Sequence, residues 1–388
     1  MQTDKDIQPL KVFINALHSK SGGGITYISN IIPLLARRSD LDIHICFNRT
    51  QLPLFPQLFE FLPQTGQFQC ILPNVKVHIV DFRHTFWQTL LFEQFKIPFL
   101  VHKINVDVTF SPANYGPIFV PRAVLLLRNA LSVAFVERRV FKRLYWVFLY
   151  LGTLLSVFTA NRVISVSHYA KKASIGVFEK CFPAKFSIVP HGVSRIFQPS
   201  SFELRSETEI LVVSDIYVQK NLHTLLKALS LVIKEKPSTK LQIVGRPVDM
   251  NYFEELHDLT SALKIEDCVT FVGEVGIKRL CELYQRCAVF VFPSTVETFG
   301  NPLLEALASG APVACSRIPA TLEVAGDAAK YFDPLYIEGI ADVLLEMLSD
   351  PVKRKQLSHI ASDRAKKFSW DQAAKDTADV FRVAAVKE

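Results

Sequence analysis

Glu297 and Glu305 stand eight residues apart in Thr295-Val-Glu297-Thr-Phe299-Gly300-Asn301-Pro302-Leu-Leu-Glu305-Ala, around the start of an expected helix. Gly300-Asn301 reads as a turn and N-cap, Pro302 as the first helical residue, and Gly310 followed by Pro312 as the stop. One carboxylate then precedes the turn, the other lies inside the helix, and backbone amides sit between them. A helix N-terminus attracts an anion such as phosphate, while two nearby carboxylates suit hydroxyls. Together they describe a sugar nucleotide. The alternative role for Glu305 is to complement the helix dipole.

A second candidate lies upstream. Ser214-Asp215-Ile-Tyr217-Val-Gln-Lys220-Asn221 joins an expected strand to an expected helix and places Lys220 just before the helix start. A cation there opposes the helix dipole at a cost of roughly 0.3–1 kcal/mol, which an anion between the lysine and the amides would offset. Phosphate is the obvious anion; a solvated surface lysine is the alternative.

The elements that must position these residues alternate between apolar runs and amphipathic stretches. In the first half, Lys11 to Ala16 reads as a strand, Gly22-Gly23-Gly24 as a loop, Ile25 to Arg37 as a helix and Leu41 to Phe47 as a second strand. Further strands are expected at Val75–Asp81, Val106–Phe110, Ala123–Leu127, Arg162–Val166 and Phe186–Val189, and Gln51 to Asn74 shows no period. Ser194 to Thr208 is polar and reads as a linker. A second alternation follows, with strands at Glu209–Val213, Lys240–Val244, Val269–Val272, Ala288–Phe292, Pro312–Ala314 and Lys330–Phe332. The expected fold class is α/β, two doubly wound sheets. Gly22-Gly23-Gly24 lacks the G-x-G-x-x-G spacing of a dinucleotide site, which disfavours an NAD dehydrogenase.

A chain of 388 residues is long for one core and suits two domains. Its net charge of +7 is mild for this length, so no nucleic-acid partner is expected, while anionic ligands and membrane headgroups are favoured. The seven cysteines show no C-x-x-C spacing and the first nine residues no apolar core, which together predict a cytoplasmic location. Tyr145 to Phe158 is the most apolar long stretch but is too short to span a bilayer, which takes ~20 residues. It reads as a buried core helix or, with its basic flank, as an interfacial one.

The whole chain resembles the retaining glycosyltransferases of family 4, of GT-B architecture. The resemblance rests on the E-x7-E pattern of Glu297 and Glu305, the Gly22-Gly23-Gly24 loop, Val166-Ser167, Val189-Pro190-His191-Gly192-Val193, Lys220-Asn221, Ile243-Val244-Gly245 and Phe332-Asp333-Pro334. It implies two Rossmann-like domains facing each other across a cleft. Residues 1–198 would be the acceptor domain, 199–370 the donor domain, and a C-terminal helix over 371–388 would return to the first domain as part of a hinge. The activity implied is transfer of a sugar, with retention, from a nucleotide-diphosphate donor to a hydroxyl of a glycan or lipid-linked acceptor. Peripheral contact with the inner membrane surface is expected. Glu305 would bind the ribose; Glu297 and the amides of Phe299, Gly300 and Asn301 would hold the sugar; Lys220 with Gly23 and Gly24 would neutralise the diphosphate. No metal and no cofactor besides the sugar nucleotide is implied, and Asp40-Leu-Asp42 reads as turn-and-cap chemistry.

Two positions depart from the family pattern. Asp215 stands where members commonly carry an arginine five residues before the phosphate lysine, and Arg246 could supply the missing charge. Leu127-Arg128-Asn129 stands where many relatives have a sugar-contacting histidine, so Arg128 or Asn129 could take that contact, with His191 at another strand end as a further candidate. A catalytically silent sugar-nucleotide binder and a nucleotide-sugar epimerase are the alternative functions.

Overall fold

The computed structural model describes residues 8–20, 22–128, 140–181 and 183–386. The chain divides into two compact units. Unit 1 comprises Met1–Leu131, Tyr145–Gly192 and Trp370–Glu388, and unit 2 comprises Ser132–Leu144 and Val193–Ser369. The strands are β1 (Leu10–Asn15), β2 (Leu41–Asn48), β3 (Phe59–Leu62), β4 (Gln67–Cys70), β5 (Val75–Val80), β6 (Val108–Ser111), β7 (Ala123–Leu127), β8 (Arg162–Ser165) and β9 (Phe186–Ile188) in unit 1. Unit 2 carries β10 (Glu209–Val213), β11 (Lys240–Val244), β12 (Val269–Gly273), β13 (Val289–Phe292), β14 (Val313–Ser316) and β15 (Ala329–Phe332).

Unit 1 holds a sheet of order β5-β2-β1-β6-β7-β8-β9, and unit 2 one of order β12-β11-β10-β13-β14-β15, with parallel pairing throughout both. Each is a Rossmann-like order in which the first strand lies at the centre and the chain reverses its direction of travel beside it. Strands such as Glu209-Ile-Leu-Val-Val213 and Val289-Phe-Val-Phe292 are nearly continuous apolar runs because helices cover both faces of such a sheet.

The helices are α1 (Gly22–Ala36), α2 (Phe86–Leu91), α3 (Ile97–Ile104), α4 (Val140–Thr159), α5 (His168–Ile175), α6 (Leu222–Glu235), α7 (Met250–Leu263), α8 (Ile277–Arg286), α9 (Asn301–Ala308), α10 (Pro319–Ala325), α11 (Ile337–Ser349), α12 (Pro351–Ala365) and α13 (Trp370–Ala385). In α6, Leu222, Leu225, Leu226, Leu229 and Val232 recur at helical spacing and are all buried against the sheet of unit 2. α13 belongs to unit 1, where Trp370 packs on Tyr27 and Phe381 on Phe110 at ring distances of 5.9 and 5.1 Å.

Several local expectations are corrected. Gly22-Gly23-Gly24 is the first turn of α1 and not a loop. The aperiodic Gln51–Asn74 region contains the antiparallel hairpin β3–β4, whose short strands carry little pattern. Ser194–Thr208 is not a loose linker. The chain passes between units at Gly192, and Arg205 ties this stretch to unit 2 by donating to the carbonyls of Tyr284, Ser309 and Gly310 at 2.8, 2.9 and 2.8 Å. α4 is not a core helix, since Val147, Phe148, Leu151 and Leu155 are exposed on it. No helix among the described residues is long and apolar enough to cross a membrane.

Candidate functional site

Open parallel sheets bind ligands at the carboxyl ends of the strands where the strand order reverses. In unit 2 that point lies between β10 and β13, paired through Ile210 with Val289 and Leu211 with Phe290. The loop leaving β10 ends in a short 3-10 turn, Val218–Lys220, and the loop leaving β13 carries Glu297. Lys220 Nζ donates to Glu297 Oε1, with both side chains largely buried.

Asn221 is the residue that brings them together. It takes the left-handed conformation, φ 57°, ahead of α6, which turns its side chain inward. Its amide donates to the carbonyl of Pro293 at 3.1 Å and to that of Pro334 at 2.7 Å, so the loops after β10, β13 and β15 share one clasp. Thr295 N adds a bond to the Gln219 carbonyl at 3.0 Å. Around the ammonium group stand the rings of Tyr217 and Phe292, at 5.3 and 5.6 Å. Burial pulls the Lys220 pKa down, but the Glu297 carboxylate and Tyr217 outweigh it and hold the lysine above its ordinary value. Lys220 is therefore a fixed cation.

Gly300 caps α9 at φ 90°, where a side chain would be strained, and an added Cβ would also lie 3.2 Å from the Phe292 ring. The helix begins at Asn301, one residue before the expected start, with Pro302 as its second residue. Phe299 is buried with its ring edge-on to Phe368 at 5.8 Å, so its side chain anchors the turn. Glu305 lies one turn into α9 and accepts a hydrogen bond from the Tyr284 hydroxyl at 3.1 Å. Burial pushes its carboxyl up to about 7, and the tyrosine bond only partly offsets this.

Asp215 does not face the site as a bare carboxylate. Arg246, at the end of β11, donates to it through Nη2 and Nε at 3.2 and 3.3 Å. That pair raises the arginine above its usual value, and the arginine remains half-exposed beyond it.

In unit 1 the corresponding point lies between β1 and β6. Gly23 is exposed and Gly24 buried in the first turn of α1. Arg128, just past β7, lies so close to Gly24 that an added Cβ would sit 2.5 Å from its Nη1. Burial lowers the Arg128 pKa to about 10 against the raising effect of Tyr27 and Tyr115. A buried cation over the positive end of a helix is a setting that an anion would stabilise. Asn129 lies outside the described residues.

His191 is enclosed between Trp370 and Tyr27, at ring distances of 5.4 Å to each, and is 4% exposed. Aromatic packing accounts for it better than the expected sugar contact. Asp40 pairs with Arg38 and Arg382, and Asp42 with Lys76 and His44. Asp40 thus faces two arginines, and Asp42 a lysine and a histidine.

Sequence reasoning missed a polar cluster at the end of β1. Glu93, wholly buried in the π-helical turn Phe92–Lys96, accepts from Asn15 and approaches His18 Nε2 through both oxygens at 3.1 Å. The Tyr115 ring meets that of His18 at 4.8 Å. The available signal was a lone acid inside the apolar run Phe82–Asn105.

The family profile described as Glycosyl transferases group 1 matches residues 195–364. The chain is 26% identical over 244 residues to the O-antigen chain mannosyltransferase B of Escherichia coli, covering 59% of this chain and 62% of that protein. It is 32% identical over 182 residues to the O-antigen chain mannosyltransferase RfbU of Salmonella typhimurium, covering 46% and 49%. The alignments thus span under two thirds of these relatives' lengths. Among solved structures, Anabaena Alr3699/HepE in complex with UDP-glucose superposes with a TM-score of 0.72 at 17% identity, covering 96% of this chain and 100% of that one. At that identity the likeness shows the fold, the GT-B pairing of two Rossmann-like domains.

Proposed function

Residues 195–364 match the profile of the group 1 glycosyl transferases, and from that match we propose that the protein transfers a sugar, with retention, from a nucleotide-diphosphate donor to a hydroxyl of a glycan or lipid-linked glycan. The observation that carries this reading is the Lys220–Glu297 pair, clasped by Asn221 at the strand-order reversal of unit 2 and followed by α9 with Glu305.

Unit 2 would hold the donor. Glu305 would accept the ribose hydroxyls, and Glu297 with the backbone of Phe299, Gly300 and Asn301 would orient the sugar. Lys220 would meet the diphosphate where negative charge develops as the glycosidic bond breaks. Such stabilisation needs donors fixed in advance, and the clasp fixes the lysine. In this reading protein cations meet the phosphate charge without a divalent ion, and no cofactor besides the donor takes part. Unit 1 would take the acceptor, with Gly23, Gly24 and Arg128 forming an anion site at the start of α1.

Two O-antigen mannosyltransferases among the relatives support a role in polysaccharide biosynthesis. The silent-relative reading rested on Asp215, and its pairing with Arg246 removes the bare repulsion that favoured it.

The test is a thermal-shift panel of uridine, guanosine, thymidine and adenosine diphosphate sugars, glucose and mannose forms included, with Glu305→Ala as control. One donor should raise the melting temperature of the wild type and not of the variant, and should then support transfer. No shift with any donor, or free isomerised sugar as the sole product, would reject the reading.

A further inference from the structure

α4 is apolar on its outer side as well as its inner one. Its buried side carries Val157, packed with Leu125, Leu127 and Val163, together with Thr153 and Ser156, whose hydroxyls are used locally, Thr153 donating to the Leu149 carbonyl at 2.8 Å and Ser156 accepting from Gly116 N at 3.4 Å. Its outer side presents Val147, Phe148, Leu151 and Leu155, and no charged residue occurs from Leu144 to Asn161. A helix facing water is polar on its outer side.

The neighbouring segment extends the same surface. Along α2, the π-helical turn and α3, Trp87, Leu91, Phe95 and Phe99 recur every four residues and are 63, 57, 70 and 71% exposed. The two surfaces are continuous, since the Phe86 ring meets Tyr145 at 5.3 Å and the Trp87 ring meets Phe148 at 5.7 Å. A contiguous exposed patch of this size marks an interaction face.

Charge identifies the occupant. Between Phe82 and Asn105 the lone acid, Glu93, is buried, whereas Arg83, Lys96 and Lys103 are exposed. From Val140 to Phe178 the sequence has no acid and contains Lys142, Arg143, Arg162, Lys171 and Lys172, the first two in the opening turns of α4. Aromatic and aliphatic side chains interspersed with cations, with no exposed acid between, match an anionic bilayer interface.

We propose that this face of unit 1 docks on an anionic lipid bilayer, with α4 and the α2–α3 segment lying in the interface plane and Trp87, Phe95, Phe99, Phe148 and Leu151 entering the acyl boundary. The proposal is independent of the donor site, so its failure would leave the transferase reading standing.

The experiment is co-sedimentation of the full chain with vesicles of phosphatidylglycerol and phosphatidylcholine, against phosphatidylcholine alone. Binding should be roughly tenfold or more tighter to the anionic vesicles and should weaken in high salt. Phe95→Ser with Phe99→Ser, and Phe148→Ser with Leu151→Ser, should each weaken it by about the same factor while circular dichroism stays unchanged. In the unmodified protein, brominated acyl chains should quench tryptophan fluorescence, and Trp87→Phe should reduce that quenching, leaving the part due to Trp146 on α4. Absence of binding to anionic vesicles, or unchanged binding in both double variants, would overturn the proposal. So would a wild-type dimer in gel filtration that the variants dissociate without any vesicle binding, since the face would then belong to a second copy.

Discussion

Lys220 and Glu297, 77 residues apart in sequence, form a largely buried ion pair at the strand-order reversal of unit 2. Removing either partner alone strands a charge. Lys220→Met or Glu297→Gln should each destabilise the protein, by up to about 3 kcal/mol in urea unfolding for the lysine change, which leaves a bare carboxylate. The double variant should recover much of that loss, because no unpaired charge remains. Transfer should stay depressed by roughly a hundredfold or more in the double variant, which separates the catalytic role from the structural one.

Asn221→Ala removes the donors to the Pro293 and Pro334 carbonyls and leaves both without that partner. The expected cost is about 2–3 kcal/mol, from these two bonds, the one that Asn221 Oδ1 accepts from the Thr224 hydroxyl, and the poorer tolerance of alanine for the left-handed region. Donor affinity should fall with stability, since the clasp sets the position of Lys220. Urea unfolding with a donor titration checks both.

Gly24→Ala sets two effects against each other. Alanine favours a helix over glycine by about 1 kcal/mol, but the new methyl would displace the Arg128 guanidinium. The melting temperature should therefore change little while transfer falls by about fivefold or more, through loss of a charge-assisted contact of ~1 kcal/mol or above. Unchanged transfer would remove Arg128 and Gly24 from the site.

Glu305 gives a pH dependence of defined sign. Its folded pKa of about 7 lies above the ordinary carboxyl value of 4.5, so the folded state binds the proton more tightly than the unfolded one. The associated stability is fully present below pH 4.5 and is lost as pH rises through 7. Glu305→Gln cannot lose it, so the variant should gain on the wild type by up to about 3 kcal/mol between pH 4 and pH 8. Denaturant midpoints across that range, without donor, provide the measurement.

The patterns that are local in sequence were legible. Continuous apolar strands alternating with amphipathic helices specify two doubly wound sheets, because burial on both faces or along one stripe leaves its period in the chain. The E-x7-E segment was equally legible, since its two acids and the helix start between them fall within nine consecutive residues. The hairpin Phe59–Cys70 was not, since strands of four residues are too short to show an alternation.

What tertiary structure decided was which distant residues meet. Asn221 reaches Pro293 and Pro334, Glu93 reaches His18 and Asn15, and Arg128 closes on Gly24 only because the strand order sets their loops side by side. It also decided the facing of α4. The same apolar stretch could have been core or surface, and the neighbours took Val157 and Ser156 inside while Phe148 and Leu151 were left to the solvent side. Period fixes that an element forms, but its neighbours fix which side it shows.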